Sequence, residues 1–122
     1  MYIARIPIFT SQLEKAREAV DLANIRAGYA EVMTSALTDD KSNTTAGNDK
    51  VVYDATNAKW TYTVSLKQKK DGWQTAISDV SIGTIKLSSV TNGPKAGKTA
   101  TITYTAGTAT TETEPTIDFA QN

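Results

Sequence analysis

The pattern of apolar and polar positions divides the chain into a helical first third and a β-rich remainder. Residues 11–37 contain no proline and one glycine, and alanine, leucine, glutamate, lysine and arginine predominate, which predicts one long helix. Two starts are compatible with the sequence. Either Ser11 and Glu14 form a capping box, or the helix begins earlier and contains Pro7. The apolar residues on both sides of Pro7 favour the earlier start.

After the helix the apolar period changes to two, which is typical of strands. The helix is predicted to end near residue 38, where short polar side chains begin, and residues 39–50 are predicted to be a connecting loop. From Trp60 to Leu66 apolar residues alternate with threonine, serine and lysine, which predicts a strand with one buried and one exposed face. Trp60 is therefore expected to be buried.

Weaker patterns predict the other strands. Residues 51–53, 85–90 and 100–104 are strand candidates, and Asp71-Gly72 predicts a hairpin turn that returns the chain at Trp73. The last segment, residues 106–122, is predicted to be a tail or an edge strand, anchored by its two large apolar residues near the end.

This order of elements predicts one α+β domain over residues 1–122. A long N-terminal helix (1–38) packs on one face of an antiparallel sheet of about four strands (51–105), and the threonine-rich face of the sheet remains in contact with water. A chain of 122 residues and 13.1 kDa is long enough for one core and short for two.

Composition narrows the classes of function. The chain has no cysteine and no histidine, which excludes thiolate nucleophiles, imidazole bases and the usual zinc ligands. Thirteen basic and thirteen acidic residues cancel, so no overall charge attracts nucleic acid or a membrane surface. No motif combines residues of catalytic type. We therefore expect a protein that is not an enzyme and that uses no cofactor and no metal.

The predicted helix has two apolar faces. At 100° per residue, one bulky face in its second half can cover the sheet; it consists of Leu22, Ile25, Tyr29, Val32, Met33 and Ala36. A second series of apolar residues lies on nearly the opposite side, with alternating spacings of three and four residues. It consists of Phe9, Leu13, Ala16, Val20, Ala23, Ala27 and Ala30. One small sheet cannot bury both faces, so the second is covered either by the loop at 39–50 or by another molecule.

The segment IPIFTSQLEKAREAVDLANIRAGYAEVM, residues 6–33, resembles a type IV pilin, specifically the major pilins of the Gram-positive, clostridial type. Those proteins begin with a long amphipathic helix that passes through a junction like Ile6-Pro7-Ile8 into a globular head. The resemblance implies a noncatalytic structural subunit of an extracellular filament on the bacterial cell surface. Pseudopilins and minor pilins or adhesins, which bind DNA or a glycan in secretion or competence systems, share such helices and are the alternative.

Several features of a type IV prepilin are missing from this sequence. They are the basic leader, the processing glycine, the methylated residue with a glutamate soon after it, and the apolar stretch of about 20 residues. Arg5 stands where the family keeps apolar residues. We therefore expect an N-terminally truncated, soluble form in which residues 1–5 are partly non-native, and which would contact a membrane only through the missing segment.

The resemblance also implies the assembly residues and the partners. Sister pilin subunits would pack on the helix, as a homo-oligomeric filament of the full-length chain. The predicted assembly residues are Ile6, Ile8, Phe9, Leu13, Ala16, Val20, Ala23, Ala27 and Ala30.

A basic and aromatic group is the second candidate site. Lys67, Lys69 and Lys70, with Trp73 close behind, could bind DNA or an anionic glycan from a hairpin tip. Lysines at such a tip more often provide solubility and protect a sheet edge. The polar loop after the helix fails the spacing of a helical calcium loop, since a threonine replaces the required glycine.

Overall fold

A computed structural model describes residues 2–107 and 113–122, with helix side chains from Thr10 onward. The first element is helix α1, Tyr2–Leu37. The strands are β1 Val51–Asp54, β2 Lys59–Ser65, β3 Ser81–Ile82, β4 Ile85–Lys86, β5 Thr99–Thr105 and β6 Thr116–Phe119, with a 3-10 turn at Leu87–Ser89 between β4 and β5.

The main sheet has four antiparallel strands in the order β1-β2-β5-β6, and α1 packs on one of its faces. Strands β3 and β4 form a separate two-stranded sheet within the excursion between β2 and β5. The predicted α+β class, with one long helix on a four-stranded antiparallel sheet, is therefore confirmed.

The core lies between α1 and the inner face of the sheet. Because side chains alternate along a strand, β2 turns Trp60 and Val64 inward, and β5 turns Ala100 and Ile102 inward. Trp60 is buried as predicted, and its ring nitrogen donates a hydrogen bond to the carbonyl of Asp40 at 2.7 Å. This bond attaches the start of the loop after α1 to a central strand of the sheet.

The bulky face of α1 covers the sheet as predicted. Ile25 and Val32 are fully buried, and the other members of that face pack around them. Gly28 allows the helix to come close to the sheet, since a Cβ atom at this position would lie 2.6 Å from the Tyr62 ring. The opposite face of the sheet carries the threonines, including Thr63 and Thr101, whose hydroxyls lie 3.2 Å apart.

Helix α1 spans Tyr2–Leu37 and contains Pro7, so the favoured earlier start is confirmed and Ser11 lies inside the helix. Two other local predictions were wrong. Residues 66–80 contain no strand, so the lysines and Trp73 do not lie on a hairpin. The strand predicted at 85–90 ends at Lys86, where the chain enters the 3-10 turn. Within the described residues, no helix is long and apolar enough to cross a membrane.

Candidate functional site

The second apolar series of α1 lies on the protein surface. Leu13 is 40 % exposed, Val20 is 49 % exposed, and the four alanines of the series are exposed as well. The loop at 39–50 does not cover them, so that alternative is wrong for the described part of the series. The side chains of Ile6, Ile8 and Phe9 lie outside the described residues.

This series, Leu13, Ala16, Val20, Ala23, Ala27 and Ala30, is called the outer stripe below. Its spacing continues through Thr34 to Leu37, which is 88 % exposed. Among the described residues, the exposed large apolar side chains are those of Leu13, Val20 and Leu37, and all three lie on this line. Alternating steps of three and four residues keep the stripe on one side of a helix, as in helices that pack lengthwise on each other.

Behind the first half of the outer stripe, α1 buries three carboxylates. Glu14, Glu18 and Asp21 are each 1 % exposed or less, and they continue the line of Ile25 and Val32 along the inner face. They face residues 67–75, a segment without helix or strand, whose amides therefore need acceptors from elsewhere. We call these three side chains the carboxylate row.

Two members of the row bind the first part of that segment. Asp21 accepts hydrogen bonds from the amides of Lys67 at 2.7 Å and Gln68 at 3.0 Å. Glu14 accepts from the amides of Lys69 and Lys70, both at 3.1 Å. Four consecutive amides are thus satisfied by two helix side chains.

Glu18 binds the next part of the segment. It accepts from the amide of Gln74 at 2.6 Å and from the amide and hydroxyl of Thr75 at 3.3 and 3.0 Å. Between these attachments, the side-chain amide of Gln68 donates to the carbonyls of Lys70 and Gly72 at 2.9 and 2.8 Å. The segment is therefore held to the helix along its length by polar contacts.

The carboxylates at the two ends of the row differ in their pKa. For Glu14, burial works to raise the pKa, but hydrogen bonds from the amides of Lys69 and Lys70 and from Arg17 outweigh it, and the pKa lies below its ordinary value. For Asp21, burial dominates, and the nearby charge of Glu14 adds to it, so the pKa lies above its ordinary value despite two amide donors.

The structure separates the members of the predicted anionic-ligand patch. Lys67, Lys69 and Lys70 are exposed on the held segment, with their amides turned toward the carboxylate row. The Trp73 ring is half-buried and packs edge-on against Phe119, with 5.9 Å between ring centroids. The tryptophan thus contributes to the core, while the lysines project into solvent.

The polar loop after the helix serves to connect elements. Asp40 accepts hydrogen bonds from the amide and hydroxyl of Ser42 at 3.0 and 2.7 Å, and Asp39 pairs with Lys41 at 3.3 Å. Within the described residues, no group of three or more carboxylates is arranged to hold a metal ion. This statement includes the carboxylate row, whose oxygens accept hydrogen bonds from backbone amides.

Sequence reasoning missed the carboxylate row because it considered Glu14 only as part of a possible helix cap and assigned no place to Glu18 and Asp21. The sequence nevertheless contains a signal that these three acids are buried. Residues 14, 18, 21, 25, 28 and 32 follow one another at alternating steps of four and three, so the acids are in phase with the apolar residues that the pattern placed inside.

Comparisons of this chain with protein-family models, with curated proteins and with solved structures find no match.

Proposed function

We propose that this protein is a noncatalytic structural subunit of an extracellular bacterial filament, of the type IV pilin kind. It assembles with sister subunits through the outer stripe of α1 and displays the threonine-rich sheet to solvent. The observation that carries the proposal is the exposure of Leu13 and Val20 on a continuous apolar line that the domain itself leaves uncovered.

The small residues of the stripe suit helix-to-helix packing. Alanines at positions 16, 23, 27 and 30 let two helix backbones approach closely, while Leu13 and Val20 supply apolar area worth about 25 cal/mol per Å² when buried. In a filament each subunit repeats the same contact, so that individually weak contacts add up.

Charges beside the stripe favour neighbours that run in the same direction. Arg26 and Glu31 lie on opposite sides of the stripe and five residues apart. In a parallel pair of helices, positions with this relation come opposite each other across the seam. Arg26 of one subunit would then lie opposite Glu31 of the next.

The experiment expresses the protein from its native gene in a host that has pilin-processing machinery. Electron microscopy should show thin filaments for the unchanged protein and none for the double variant Leu13→Ser, Val20→Ser, whose head should still fold because both side chains are exposed. Val52→Ser, a half-exposed residue of β1, is the matched control and should leave filaments intact. Normal filaments from the double variant would refute the proposal.

The alternative, a minor subunit that binds DNA or a glycan, has less support. Its aromatic member, Trp73, packs against Phe119 instead of standing free beside the lysines. Three exposed lysines on a chain of zero net charge are a small attraction for a polyanion.

A further inference from the structure

The two edge strands of the main sheet, β1 and β6, differ in the hydrogen bonds that their outward backbone groups make. At β1, the outward amide of Tyr53 donates to the carbonyl of Asn43 at 2.8 Å, and the Asn43 side chain donates to the carbonyl of Val51 at 2.8 Å. Asn43 thereby occupies one amide and one carbonyl of that edge. Its position hinders another strand from pairing with β1.

At β6 the edge is open at Ile117, although the carbonyl of Phe119 accepts a hydrogen bond from the Gln121 side chain at 2.7 Å. The bond from the amide of Ala120 to the carbonyl of Thr99 fixes which residues pair with β5, and the alternation of an antiparallel ladder then turns the backbone groups of Ile117 away from β5. Within the described residues, neither the amide nor the carbonyl of Ile117 has a hydrogen-bond partner. An edge of this kind can accept another strand.

A groove of about 640 Å³ runs along this open edge, between β6 and residues 84–92. Two hydrogen bonds connect its two sides, one from the Thr84 hydroxyl to Glu114 at 3.3 Å and the other, beyond Asn92, from the Gln121 side chain to the carbonyl of Gly93 at 3.0 Å. Its volume lies in the range of about 300–1,000 Å³ that is usual for ligand sites.

The chemistry of the groove defines the segment it would take. Ile85 and Val90 are half-buried and line it beside Ile117, so they offer contacts to apolar side chains. The charged residues that line the groove are two acids, Glu114 and Asp118, and one base, Lys86. Asp118 is exposed on the outer side of β6. In an added strand, alternate side chains would face these two surfaces.

We propose that the groove beside β6 binds an extended peptide segment of a partner protein, in which apolar residues alternate with lysine or arginine. The segment adds a fifth strand to the sheet, pairs its backbone with Ile117, places its apolar side chains between Ile85 and Val90, and places a basic side chain opposite Asp118. This mode of binding is strand addition, in which the backbone provides affinity and the side chains provide specificity. It uses a face of the domain separate from the outer stripe.

The test uses the whole chain, labelled with nitrogen-15, and the capped peptide Val-Lys-Val-Lys-Val as the probe. Saturating peptide should slow hydrogen exchange of the Ile117 amide by about tenfold or more, because that amide gains a hydrogen bond. The same peptide with alternate amides methylated keeps its charge and side chains but loses backbone donors, and it should give no protection.

Two variants test the charge. Asp118→Lys should weaken binding about three- to tenfold, because an attractive cross-strand pair becomes repulsive. Asp79→Lys, an equal change of charge on an exposed turn, should weaken it far less. Unchanged Ile117 exchange at millimolar peptide, equal protection by the methylated peptide, or equal effects of the two variants would each overturn the proposal. Protection that rises with protein concentration alone would also overturn it, since the occupant would then be a second copy of the chain.

Discussion

Helix α1 has two parts, residues 13–21 and residues 22–36. Both turn residues at the same spacing toward the rest of the domain, but they bury opposite kinds of side chain. The second region buries Ile25 and Val32 against the sheet. The first buries Glu14, Glu18 and Asp21 and leaves Leu13 and Val20 in solvent. In the first region, therefore, the usual arrangement of apolar inside and charged outside is reversed.

The reason lies in what each region packs against. The strands under the second region satisfy their own amides through the sheet, so the helix needs to supply only apolar surface. The segment 67–75 under the first region has no ladder, and burying its amides without acceptors would cost about 1–3 kcal/mol for each group. Carboxylates supply two acceptor oxygens each, and so suit this neighbour better than leucine would.

The largest expected effect comes from the apolar region. Ile25→Ala removes a fully buried side chain and should lower the free energy of unfolding by about 2–5 kcal/mol, measured by urea denaturation. Val20→Ala on the outer stripe is the matched control and should change it by less than about 0.5 kcal/mol, because that side chain is half in water. Equal losses would mean that the outer stripe is covered in the isolated protein.

A smaller effect is expected at the N-terminal end of the carboxylate row. Glu14→Gln keeps the size of the side chain but replaces one acceptor oxygen with a donor that faces an amide, so it should lower the free energy of unfolding by about 1–3 kcal/mol at neutral pH. Glu114→Gln, an exposed carboxylate, is the control and should cost less than about 0.5 kcal/mol.

The difference between the unchanged protein and the Glu14→Gln variant should depend on pH. The pKa of Glu14 is lower in the folded state than its ordinary value, so its stabilisation is complete above that ordinary value and is lost as the pH falls through the folded pKa. Urea denaturation of both proteins across the acid range should therefore show the difference shrinking. A difference that grew on acidification would contradict the assigned hydrogen bonds.

The sequence was sufficient for the elements with long periodic patterns and insufficient for contacts between irregular segments. The alternation from Trp60 and the face containing Ile25 predicted β2, the core side of α1 and the packing of one on the other. The Asp71-Gly72 pair predicted a hairpin, but Gly72 instead donates its amide to Pro94 at 2.7 Å, and the flanking backbone bonds the carboxylate row. The path of this segment depends on hydrogen bonds between residues that are 46 to 57 positions apart in the chain. No local sequence pattern reports such contacts.

Substitution of Asp21 should have the smallest effect on stability, and its pH dependence should distinguish Asp21 from Glu14. Asp21→Asn loses one of two amide acceptors but also removes a buried charge, so at neutral pH it should destabilise the fold less than Glu14→Gln does. The pKa of Asp21 is raised in the folded state, so the folded protein takes up the proton first, and stability from this group rises as the pH falls from the folded pKa toward the ordinary value. As the pH falls, the difference in the free energy of unfolding between the unchanged protein and Asp21→Asn should therefore grow. It should grow before the corresponding difference for Glu14→Gln has disappeared. Parallel pH profiles for the two variants would show that Glu14 and Asp21 titrate as one unit, in which neither carboxylate has a pKa of its own.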